Sequence, residues 1–104
     1  INVVRVPFLD LDAVKATFER LPNRVAAVFI EPVQGEGGIY AATKEQLLGL
    51  RELCTRYGAL LGTDEVQSGS GRTGHWTAWQ TIVGPEGTTR ETAPDLTWVA
   101  KAIG

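Results

Sequence analysis

Apolar residues in this chain fall into two spacings, and each spacing predicts a different element. Leu11, Val14, Phe18 and Leu21 recur every three or four positions within 10–21, which predicts an amphipathic helix with Asp10 as its N-cap. Pro22-Asn23 breaks it. A second helix is expected from Thr43 to about Tyr57, with Leu47, Leu50, Leu53, Cys54 and Tyr57 on its buried side. Thr43-Lys44-Glu45-Gln46 fits a capping box, and Gly58 stands where a left-handed residue closes a helix. Between and beyond these helices the apolar residues run without gaps. VAAVFI at 25–30, ALLGT at 59–63 and DLTWVA at 95–100 predict short buried strands, the first covered on both faces. INVVRVPF at the start is rich in β-branched residues and reads as a strand or strand end closed by Pro7. EPVQGEGGIY at 31–40 is turn-rich, and 65–94 is a long loop-rich region. Strand, helix, strand in this order implies a right-handed βαβ unit and a parallel sheet.

Composition narrows the function classes. With 43% hydrophobic and 21% charged residues among 104, the chain has the make-up of one globular unit. A net charge of −2 with no basic run gives no field for nucleic acid, and the apolar run at 25–30 is too short to cross a bilayer. Cys54 is the single cysteine, which excludes an intrachain disulfide and fits a reducing, cytoplasmic setting. The chain opens inside an extended pattern without an initiator methionine and stops at Lys101-Ala-Ile-Gly104, so a segment of a longer protein is expected.

Each predicted parallel strand leads into an ionisable residue: Glu31 after VAAVFI, Asp64 after ALLGT, Lys101 after DLTWVA. A single charge after a strand is usually just solvated. Three together matter more, because ligands of open α/β sheets gather outside the carboxyl ends of the strands. A lysine partly desolvated there becomes a nucleophilic amine. A carboxylate beside it can hold a proton on a heteroaromatic nitrogen through a charge-assisted bond of roughly 1.5–3 kcal/mol. An amine that forms a Schiff base and an acid that keeps a pyridinium protonated are what pyridoxal phosphate requires.

EPVQGEGG, RELCTRYGALL, DEVQSGSGRTG and PDLTWVAKAIG together resemble the class III, ornithine-type aminotransferases, in that family's order and roughly its spacing. The likeness spans nearly the whole chain and is weakest over 1–20; the helix and EGG segment lie nearest the acetylornithine and succinylornithine branch. The resemblance implies an α/β fold, part of the three-layer, parallel-sheet large domain of a fold-type I enzyme that binds pyridoxal 5′-phosphate. It implies that residues 1–104 are a central part of that domain. Asp64 matches the aspartate that pairs with the pyridine nitrogen, Val66 the residue against one ring face, and Gln67 the amide beside the phenolic oxygen. Lys101 matches the Schiff-base lysine, which also carries the proton at the substrate α-carbon. Glu36 matches a glutamate that pairs with a distal arginine and swings aside for an α-carboxylate; Glu31 matches an active-site glutamate near the cofactor. Glu65 is expected to be a structural acid and Arg72 a brace for its loop. The implied substrates are an amino donor and a 2-oxo acid acceptor such as 2-oxoglutarate, and the implied assembly is a homodimer with no metal, nucleic acid or membrane partner.

Two stretches depart from the family. Ser68 and Ser70 stand where threonine and a larger apolar residue are frequent, and 81–95 is longer and more polar than the usual connection, as a surface insertion would be. Simpler roles are expected elsewhere: His75 a surface or packing residue, Cys54 a small core hydrophobe, and Trp76, Trp79 and Trp98 packing residues. Lys44, Glu45, Arg51, Glu52 and Arg56 read as a solvated helix face. Aminomutases, decarboxylases and racemases on the same scaffold would need Asp64 and Lys101 too. A nucleotide hydrolase with Asp64 and Glu65 on magnesium is a further alternative, but the chain has no G-x-x-x-x-G-K-[ST]. Alone, the 104 residues are expected to show no turnover.

Overall fold

The structure is a computed structural model that describes residues 3–34, 40–65, 77–89 and 91–98. Helix α1 (Leu11–Arg20) opens with the Asp10 carboxylate accepting the Ala13 N–H at 3.0 Å, and it buries Val14 and Phe18. Helix α2 (Lys44–Tyr57) begins with the capping box, Thr43 accepting from the Gln46 N–H while the Gln46 side chain accepts from the Thr43 N–H. It ends at Gly58, whose φ of 73° is the left-handed conformation that glycine reaches without a Cβ penalty. Gly49 lets the helices approach closely, since a Cβ there would lie 2.7 Å from the Leu11 Cδ1. Phe18 of α1 stacks on Tyr57 of α2 with ring centroids 4.7 Å apart.

Three strands form the main sheet: β1 (Ala27–Ile30), β4 (Leu60–Asp64) and β5 (Leu96–Trp98), in the order β1-β4-β5 with both pairings parallel. Ala27 registers with Leu60 and Ile30 with Thr63; on the other side Gly62 registers with Leu96 and Asp64 with Trp98. Helix α2 packs over one face, where Leu47, Leu50, Cys54 and Leu61 are each no more than 1% exposed. Burial pushes the Cys54 thiol up to about 11, with nearby Arg51 opposing and Asp95 adding to the shift, so it packs as a neutral hydrophobe.

Three features differ from the sequence-based expectation. Residues 3–7 form no strand, because no neighbouring strand among the described residues offers them a ladder, and Val3, Val4 and Val6 are exposed. EPVQGEGGIY contains a small antiparallel pair, β2 (Val33–Gln34) with β3 (Tyr40–Ala41). The region read as loop-rich contains α3 (Ala78–Val83) and a following 3₁₀ turn (Gly84–Gly87). Trp79 and Val83 of α3 are 1% exposed and Ile82 packs against the core, so within the polar stretch 81–95 residues 82 and 83 are core residues while Thr81 is exposed. Within this segment one face of β1 is packed and the other carries Phe29, which is 62% exposed.

Candidate active site at the carboxyl edge of the sheet

Strand geometry decides which residues share a face. Along β4 side chains alternate, so Leu60 and Asp64 point to one side while Leu61, Thr63 and Glu65 point to the other. The first side is open, carrying the half-exposed Leu60 and the exposed Asp64. The second side is packed. Asp64 ends β4 at the carboxyl edge, and its register partner Trp98 ends β5. Glu31 directly follows Ile30, which registers with Thr63, so Glu31 and Asp64 reach the same edge from neighbouring parallel strands. Two of the three ionisable strand ends therefore come together. Lys101, Glu36, Val66 and Gln67 lie outside the described residues, as do Ser68, Ser70, Arg72, His75 and Trp76.

Glu65 is 1% exposed, and its carboxylate accepts the N–H of Ala78 at 2.5 Å and of Trp79 at 3.1 Å. The structural acid expected from the sequence is thus a buried one that binds the start of α3. This also removes the magnesium alternative: consecutive strand residues face opposite sides, and Glu65 is turned into the core, away from the side that Asp64 faces.

Arg51 is a correction. It was expected on a solvated face, yet it is 8% exposed and donates through Nη1 to the Asp95 Oδ2 at 2.9 Å and to the Ala93 carbonyl at 3.1 Å. Its Nε donates to the Thr55 hydroxyl. The same Asp95 oxygen accepts the Leu61 N–H at 2.7 Å, and the Asp95 N–H donates to the Leu61 carbonyl. One carboxylate thus ties β5 to β4 and to α2. The Leu61 N–H chiefly, and then the Arg51 guanidinium, hold the Asp95 carboxyl below its usual range, with desolvation opposing. The signal was present in the sequence: Leu47, Leu50, Arg51 and Cys54 follow the spacing of one helix face. Of the other residues read as that solvated face, Glu52 and Arg56 do form an exposed pair.

This parallel sheet with its flanking helices recurs in known proteins. Residues 8–104 match the family described as Aminotransferase class-III. An acetylornithine/succinyldiaminopimelate aminotransferase from Photorhabdus laumondii is 44% identical over 103 residues, covering 99% of this chain and 23% of that protein. The solved acetylornithine aminotransferase of Elizabethkingia anophelis superposes with a TM-score of 0.81 at 31% identity, over 96% of this chain and 23% of that one. The ornithine δ-aminotransferase of Plasmodium falciparum gives 0.80 at 32% identity, over 96% and 23%. The chain belongs to the class III aminotransferase family and has part of the α/β fold of fold-type I enzymes. It spans about a quarter of the length of the relatives it matches, 23% for the Photorhabdus protein.

Proposed function

We propose that this chain is part of the cofactor-binding large domain of an aminotransferase. The reaction would move an amino group from an acetylornithine- or ornithine-like donor to a 2-oxo acid such as 2-oxoglutarate. The observation that carries this reading is Asp64, an exposed acid at the carboxyl edge of a parallel sheet, in a chain matched by the class III family over residues 8–104. Relatives named for acetylornithine and ornithine favour that donor class.

The donor set fits pyridoxal 5′-phosphate. A ring nitrogen that must stay protonated needs an acid at the rim, where Asp64 ends β4 and Glu31 directly follows the neighbouring β1. When bound, the cofactor supplies an electron sink for negative charge developing at the substrate α-carbon. Asp64 would accept the proton-bearing ring N–H, Val66 would pack on the ring and Gln67 would lie beside its phenolic oxygen. Lys101, three residues beyond Trp98, would attach the cofactor and carry the α-proton. Glu36 would screen a distal arginine until an α-carboxylate arrives, and Glu31 would line the site. The assembled enzyme would be a cytoplasmic homodimer.

The test is to express the whole protein containing this segment, add pyridoxal 5′-phosphate and record the visible absorption of the lysine-linked cofactor. Lys101→Ala should abolish the covalent link, and acetylornithine or ornithine with 2-oxoglutarate should turn over only in the wild type. Normal transamination by Lys101→Ala would overturn the proposal.

A further inference from the structure

We infer that Glu65 is a positioning residue: its buried carboxylate grips the start of α3 and so fixes the end of β4, keeping the adjacent Asp64 on the open face of the sheet. This rests on the reading that Asp64 meets the cofactor. The N–H groups in the first turn of a helix have no partner within that helix. In α3 they are accounted for individually. Gln80, the third helical residue, donates to the Thr77 hydroxyl at 3.2 Å, and the Gln80 side chain accepts from the Thr77 N–H. Ala78 and Trp79, the first two, donate to the two oxygens of Glu65. Helix α3 is in turn fixed by Trp79 and Val83 in the core.

The side chain of Glu65 therefore joins two places that are 13 and 14 residues apart in sequence, the end of β4 and a helix anchored in the core. Asp64 immediately precedes this anchor and faces the other way. Rotation of the strand end would break both Glu65 bonds inside the core, where an unpaired carboxylate is strongly disfavoured. Holding Glu65 thus holds Asp64.

The experiment uses the whole protein with Glu65→Gln, Glu65→Asp and Asp64→Asn as a reference. In the wild type without cofactor, the Ala78 and Trp79 amides should exchange hydrogen at least about tenfold more slowly than unbonded amides. Glu65→Gln replaces one acceptor by an NH2 group that cannot accept, so protection at one of the two amides should fall. The dissociation constant for pyridoxal 5′-phosphate should rise roughly tenfold, and kcat should fall roughly ten- to a hundredfold, with little change in KM for the amino donor. The bound-cofactor spectrum should move in the direction seen for Asp64→Asn, a signature that general loosening of the fold would not give. Should Glu65→Gln fail to fold, Glu65→Asp, which keeps the charge but shortens the reach, is read by the same measurements. Fast exchange of both amides in the wild type overturns the inference, and so does a Glu65 variant with wild-type cofactor affinity and spectrum. A wild-type protein that binds no pyridoxal 5′-phosphate instead overturns the functional reading, while the exchange data still judge the clamp.

Discussion

The two faces of the three-stranded sheet treat polar groups in opposite ways. On the packed face they are matched to one another: Thr63 meets the Thr97 hydroxyl at 3.0 Å, Asp95 joins Arg51 to the Leu61 N–H, and Glu65 takes two helix N–H groups. On the open face the described side chains are large and apolar, with Phe29 62%, Leu60 50% and Leu96 45% exposed, and the acid at its edge, Asp64, is exposed to solvent. Buried polar atoms need partners supplied by the chain itself, whereas an exposed acid at a strand end stays within reach of a ligand. Under the proposed function the chemistry would take place on the open face, with the packed face as the fixed frame behind it.

Substitutions on the two faces should separate these roles. The largest effect is expected from Asp64→Asn, which should lower turnover of the whole protein by about a thousandfold, close to 4 kcal/mol in the barrier, while its melting temperature stays near wild type. Steady-state kinetics beside calorimetry would check this, and equal losses of activity and stability would merge the two roles. Next, Leu61→Ala on the packed face should destabilise the chain by about 2–5 kcal/mol, since Leu61 is fully buried. Its neighbour Leu60→Ala should change stability by less than about 1 kcal/mol. Urea unfolding of the whole protein containing this segment compares them directly.

A smaller effect is expected at the Arg51–Asp95 pair. Asp95→Asn should remove about 1–2 kcal/mol, allowing for solvent screening at a carboxylate whose side chain is 36% exposed. Because the folded state holds the Asp95 pKa below its usual 3.8, this contribution is complete above that value and is lost as pH falls through the lower folded one. Unfolding midpoints measured from pH 5 downward should thus decline less steeply in Asp95→Asn than in wild type. The smallest effect concerns Cys54, whose buried thiol should resist alkylation at neutral pH until denaturant is added, as followed by mass spectrometry.

Much of this frame was legible in the sequence because local rules and burial agree there. The helix periodicity around Val14 and Phe18, the Thr43–Gln46 box, Gly58 and the three apolar strands each express one physical demand that nothing else opposes. The readings that failed are places where two demands compete. Arg51 occupies a core-facing helix position, and its charge outweighed its spacing in the sequence reading; only the distant Asp95 makes that burial tolerable. Thr77-x-x-Gln80 is a second capping box, obscured by the glycine-rich residues before it and by the shortness of α3. The valines near the start favour a strand by their branching, but a strand also needs a neighbour. That Glu31 and Asp64 reach one edge follows from parallel strands, which the sequence implies, whereas the partners of Glu65 depend on a helix that the periodicity does not reveal.

The adjacency of Asp64 and Glu65 makes the length of β4 a counted quantity. Deleting one residue between Gly58 and Asp64 would reverse the parity of the strand, driving an acid with no helix amides to receive it into the interior and turning the buried one out to water. Length variation among natural versions of this segment should therefore avoid the short stretch from Ala59 to Glu65 and collect instead in the turns around 84–93, where no such alternation has to be kept.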